Sequence, residues 1–180
     1  MDLGLSSRRA LVMGASRGLG AASLAREGAT VFAAARSLET TAAHVAELPP
    51  EIAARIRPVV LDLADRASVD ALADMLLADG GVDVVVANSG GPPAGPIAAV
   101  APEVWAAQFQ TMAAHVFHLT GRLLPPMRSR GFGRVIAVVS SGVDQPIPNL
   151  GLSNAIRASV VGWAKTLAGE VAADGVTVNC

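Results

Sequence analysis

The chain has no tyrosine, one lysine and one cysteine among its 180 residues, and each scarcity removes a class of chemistry. Without tyrosine, no phenol can serve as a general acid. Cys180 alone allows neither an internal disulfide nor a multi-cysteine metal site. His44, His115 and His118 fit no zinc spacing with other ligands, so no metal is expected. Lys165 stands against thirteen arginines, a compositional bias of the source. No apolar run approaches the 18 or so residues of a membrane helix. The first residues, MDLGLSSRR, lack the charged, apolar and small-residue order of a secretory signal, so a cytoplasmic protein is expected, with no membrane partner. A net charge of −1, a pI near 6.3 and scattered positive charges leave no footprint for nucleic acid.

What is present is apolar: 52% hydrophobic residues and a mean hydropathy of +0.47 describe a globular chain with a sizeable core, expected as one domain over residues 1–180. Valine-rich runs recur at Ala10 to Met13, Thr30 to Ala35, Pro58 to Leu61, Val82 to Ala87, Val135 to Val139 and Val176 to Val178. Segments with helical spacing separate them. Continuous apolar strands alternating with helices predict a doubly wound parallel sheet in a three-layer α/β/α sandwich. Helices are expected from Ser68 through Leu76, from Pro102 to about Leu124 before Pro125 and Pro126, and from Leu150 to Ala173. No repeat or linker interrupts the pattern, and the longest glycine and proline cluster is NSGGPPAGP, from Asn88 to Pro96.

The most informative stretch is LVMGASRGLG, Leu11 to Gly20. A strand ending at Met13 would turn through Gly14 to Arg17 and enter a helix near Gly18. Glycines in such a turn let a pyrophosphate lie against bare main chain, and the helix directs free N–H groups and the positive end of its dipole at the anion. The second strand should then end, about twenty residues on, beside an adenosine ribose. It ends AAARS, with Arg36 where an acid would favour a free 2′-hydroxyl. Arg17 and Arg36 thus favour a 2′-phosphate, making NADP(H) the preferred ligand and NAD(H) a possible one. The competing reading leaves both as solvated surface charges.

In order along the chain, GASRGLG from Gly14, AARS from Ala34, the Asp62-Leu63 pair, ANSGGP from Ala87, Trp105, GRVIAVVSS from Gly133 and the closing VTVN resemble the short-chain dehydrogenase/reductase family of the classical type, similar to 3-oxoacyl-acyl-carrier-protein reductases. The resemblance implies a Rossmann fold acting on a small-molecule carbonyl or alcohol substrate. It implies that Gly14, Ser16, Arg17, Gly18, Leu19 and Gly20 line the pyrophosphate and nicotinamide side. Arg36, Asp62 and Leu63 would flank the adenosine, and Asn88, Ser89 and Gly90 would lie beneath the ribose linkage. Two long helices matching those that pair between subunits imply a homodimer or homotetramer. The chain stops at Cys180, before the proline–glycine segment, substrate loop and last strand of the family, so a fragment is expected.

The family's catalytic positions are altered. The serine falls on Ser140, but the tyrosine position holds Ser153, the lysine position Arg157, and the asparagine position Met112. A serine hydroxyl, with a pKa of roughly 15, gives little driving force for proton transfer near neutral pH. Arginine, at roughly 12.5 or more, stays protonated but stabilises negative charge. Ser140 would polarise a carbonyl, Arg157 would hold a ribose or developing charge, and water or His115 would supply the proton. His115 has packing as its competing role, as does His118. Ser141 is expected to end the strand, while Asn149 and Asn154 suit loop turning and capping. Two classes remain open: an oxidoreductase with a modified mechanism, and a cofactor-binding protein without turnover, serving as a sensor or structural subunit.

Overall fold

In the computed structural model, which describes residues 3–17 and 19–180, six parallel strands form one sheet in the order β3-β2-β1-β4-β5-β6. They are β1 (Arg9–Met13), β2 (Thr30–Ala35), β3 (Ile56–Val60), β4 (Val84–Ala87), β5 (Gly133–Ala137) and β6 (Val176–Asn179). The helices are α1 (Leu19–Arg26), α2 (Leu38–Ala46), α3 (Pro50–Ala53), α4 (Arg66–Ala78), α5 (Pro102–Phe109), α6 (His115–Ser129) and α7 (Gly151–Val171). The strand order doubles back between β1 and β4, and such a switch point opens a crevice at the carboxyl ends of the strands.

The apolar runs explain the layers. In β1, Leu11 and Met13 pack with α4, α6 and α7, while Ala10 and Val12 pack with α1 and α3, so successive side chains feed opposite cores. The α6 stripe of Leu119, Leu123 and Met127 is fully buried. Each such side chain contributes about 1.5–3 kcal/mol. The opposite face of β5 carries no helix among the described residues, leaving Ile136 exposed.

Several boundaries differ from the sequence expectation. The third and fifth strands begin two residues earlier and end before Leu61 and Val139; the fourth begins at Val84. Asp65 caps α4 by accepting from the Ala67 N–H, so the helix starts before Ser68, whose Oγ accepts from the Asp62 N–H instead. The expected helix from Pro102 is interrupted by a π turn at Gln110–Ala114 and then runs through Pro125 and Pro126 to Ser129. Each proline forfeits an N–H donor. Leu123, Leu124 and Met127 are buried around them, and that packing outweighs the loss.

Candidate functional site

The turn after β1 is held against both neighbouring strands. The Ala15 N–H donates to the Ala34 carbonyl, and Gly14 takes a φ of +68°. A Cβ at Gly14 would stand 2.8 Å from Asn88 Nδ2, so both backbone angle and space select glycine. Gly20 rests on β1, where a Cβ would lie 3.4 Å from Val12. The helix begins at Leu19, and Gly18 lies outside the described residues.

Over this turn opens a crevice of about 400 Å³. Gly14 and Ser16 form its floor, Ala35 and Arg36 one end, and Asn88, Ser89 and Gly90 the side toward β5. Asp62, Leu63 and Ala64 form a further wall, fixed by the Asp62 carboxylate accepting from the Ala64 N–H at 2.9 Å. Eight of the sequence-derived positions therefore share one cavity: Gly14, Ser16, Arg36, Asp62, Leu63, Asn88, Ser89 and Gly90. Arg17 does not line it; the residue is exposed, one step beyond Ser16 in the turn. Neither Arg17 nor Arg36 pairs with an acid among the described residues.

The opposite wall was missed from sequence. Gln108, Thr111 and Met112 reach the crevice from the end of α5 and the π turn. The extra residue of a π turn rotates the helix beyond it, a device frequent at functional sites. No periodicity signal marks it, because a single inserted residue leaves the apolar pattern on either side intact.

Ser140, Ser153 and Arg157 stand outside this cavity, at the junction of β5, the β4 loop and α7. Ser140 Oγ accepts from the Gly142 N–H, capping a short 3-10 turn that Ser141 opens rather than a strand that it ends. A Cβ on Gly142 would collide with Asn154 Oδ1. Asn154 donates from Nδ2 to the Ile147 carbonyl, and Asn149 turns the preceding loop with a φ of +61°. Ser153 is buried. Arg157 Nε donates to Ser153 Oγ at 3.3 Å, Nη1 to the Val138 carbonyl at 2.9 Å, and Nη2 toward the Ser89 and Gly90 carbonyls at 3.5 and 3.4 Å. Burial pulls the guanidinium below its usual pKa, yet it stays a cation. Two loops close over this end together: the Gly95 N–H donates to the Asn149 carbonyl at 2.7 Å, and Gly95 bridges to Leu150.

His115 is not placed to relay a proton. It is 4% exposed, with Nδ1 at 2.7 Å from the Leu63 carbonyl and Nε2 at 2.7 Å from Gln110 Nε2. His118 meets Asp70 at 2.6 Å on the flank of α6, a polar contact with its side chain partly exposed. Among the described residues, no group of three or more His, Cys, Asp or Glu could hold a metal, and no helix is long and apolar enough to cross a membrane.

The short chain dehydrogenase profile matches residues 8–180. The 3-oxoacyl-acyl-carrier-protein reductase of Haemophilus influenzae is 34% identical over 181 residues, covering 97% of this chain and 72% of that enzyme. L-sorbose reductase from Gluconobacter frateurii, solved with NADPH and L-sorbose, superposes with a TM-score of 0.92 at 32% identity, over 100% of this chain and 70% of that one. Actinorhodin polyketide ketoreductase with NADPH gives 0.87 at 34%, over 96% and 68%. The order of strands, the glycine turn and these likenesses agree, and the chain belongs to the short-chain dehydrogenase/reductase family of NAD(P)-dependent oxidoreductases.

Proposed function

We propose that the protein is an NADP(H)-dependent oxidoreductase acting on a carbonyl or secondary alcohol without a phenolic acid. The observation that carries this reading is Arg36 lining the same crevice as the glycine turn at Gly14 and Ser16, with no acid paired to it among the described residues. Its guanidinium suits a 2′-phosphate by charge-assisted, bidentate hydrogen bonds. Gly14 and Ser16 would hold the pyrophosphate, Asp62 and Leu63 the adenosine, and Asn88, Ser89 and Gly90 the ribose linkage. The NADPH carried by two structural relatives supports the same choice.

The nicotinamide, when bound, supplies or accepts the hydride. The chain's own groups act on the substrate oxygen. Arg157 donates to Ser153 Oγ, which leaves the Ser153 O–H as a donor polarised by the adjacent cation. Ser140 Oγ accepts from the Gly142 N–H and likewise keeps its own O–H to give. Two hydroxyls backed by a positive charge stabilise an oxygen as it becomes anionic. Neither gives up its proton near neutral pH, so water protonates the product oxygen.

The second reading, binding without turnover, draws on the same residues. Arg157 directs three of its nitrogens at protein atoms, as a residue that only braces the β4 loop would do. Fluorescence titration with NADPH and NADH, followed by an absorbance screen of ketones, oxoacyl thioesters and alcohols, separates the two. Turnover is expected; tight binding with none would select the second reading, and affinity for neither nucleotide would reject both. Arg36→Asp is expected to weaken NADPH about 30-fold, roughly 2 kcal/mol, and NADH less than about threefold. Equal losses would remove the 2′-phosphate assignment.

A further inference from the structure

His115 is a buried titratable group that the proposed chemistry leaves unused, and its contacts join two segments that line the crevice. It lies directly after the π turn that carries Thr111 and Met112 into one wall. Its Nδ1 meets the carbonyl of Leu63, which belongs to the other wall, 52 residues away in sequence. A carbonyl only accepts, so Nδ1 carries the proton and donates. The amide nitrogen of Gln110 only donates, so Nε2 is the acceptor. The ring is therefore a crossbar with a partner at each nitrogen, at a place where only 4% of the residue meets solvent.

We propose that His115 is a positioning residue for nucleotide binding: its Nδ1–H fixes the distance between the Asp62–Ala64 wall and the π turn, and thus the width of the crevice at its adenosine end. The proposal rests on the reading of that crevice as the nucleotide site. Leu63 itself packs its side chain against the apolar core. Asp62 is anchored through Ser68 and through its turn with Ala64 and Asp65, while the bond from His115 ties this loop to the helix that follows the π turn. Losing it leaves a part-buried carbonyl without that partner and lets the two segments part, at a cost that a ligand spanning them would share.

The test is fluorescence titration of the purified protein with NADPH and with adenosine 2′,5′-bisphosphate. Three variants are compared with wild type, with thermal midpoints measured beside them. His115→Phe keeps the ring and removes both nitrogens; it should weaken both ligands about tenfold. His115→Asn carries an amide nitrogen where histidine carries Nδ1, so it should recover binding to within about threefold of wild type. Gln110→Ala changes an exposed side chain, spares the bond to Leu63, and should weaken both ligands about threefold or less. His115→Asn binding as poorly as His115→Phe would overturn the proposal, since lost ring packing would then explain both. A folded His115→Phe that binds as tightly as wild type would overturn it as well. Should His115→Phe fail to fold, His115→Asn decides: wild-type-like affinity supports the crossbar, and a tenfold loss in a folded protein removes it. Wild-type protein taking up neither ligand would instead reject the nucleotide reading itself, a result distinct from any failure among the variants.

Discussion

Where the strands begin, Arg9 holds Asp79 at 2.6 Å, Arg130 donates to the Gly80 and Val82 carbonyls and pairs with Asp83, and Arg8 lies 3.6 Å over the Phe132 ring. Where the strands finish, Arg157 is taken up by the Val138, Ser89 and Gly90 carbonyls, but Arg17 and Arg36 meet no acid among the described residues. The same side chain thus plays two parts. Guanidinium groups engaged with protein carboxylates, carbonyls or a ring brace the strand starts, while one left open at the other edge of the sheet is available to an anion. By this contrast, changes at the first end should alter stability alone, and changes at the second should alter binding alone.

The most severe way to break this separation is Gly175→Ala at the start of β6. Gly175 has a φ of +71°, and a Cβ there would collide with the backbone carbonyl of Gly131, which has no side-chain freedom to yield. A loss of about 3 kcal/mol or more is expected in urea unfolding, with NADPH affinity of the folded protein unchanged. A parallel loss of affinity would show that the two ends are coupled. Asp83→Ala comes next. Asp83 is buried, accepts from the Arg9 N–H at 3.0 Å and pairs with Arg130 at 3.2 Å, so its removal should cost about 2 kcal/mol, again without touching affinity. Arg36→Asp is the mirror image, and its unfolding midpoint should match wild type.

The smallest effect belongs to the flank between the ends. The hydrogen bond from His118, then that from Arg66, holds the Asp70 carboxyl at about 2, below its ordinary 3.8. An acid depressed in the folded state stabilises above its unfolded value, and that contribution is lost as pH falls toward about 2. The thermal midpoint of Asp70→Asn should therefore lie below wild type near neutral pH and converge with it in acid. A gap that stays constant down to that pH would remove the carboxylate as its source.

Much of the fold was legible because burial on both faces writes parallel strands as continuous apolar runs, as in Thr30–Ala35 and Val84–Ala87. The glycine turn was legible for a different reason: Gly14 is demanded by backbone angle and by Asn88 at once. Misses occurred where tertiary packing overruled local rules. Pro125 and Pro126 read as a helix stop, yet lie inside α6 because the stripe around them is buried. Arg17 read as a partner of Arg36, but proximity in the turn does not aim a side chain into the crevice. For His115 the sequence left proton donation and packing both open; its two bonds are long-range or π-turn contacts that no spacing rule contains.

The joint between Gly95 and the Asn149–Leu150 segment carries a kinetic consequence. One loop follows β4 and the other leads into α7, so neither can swing clear while that main-chain bond survives. Opening either loop therefore requires that bond to break, and the exchange rate of the Gly95 amide with deuterated solvent reads how often it does.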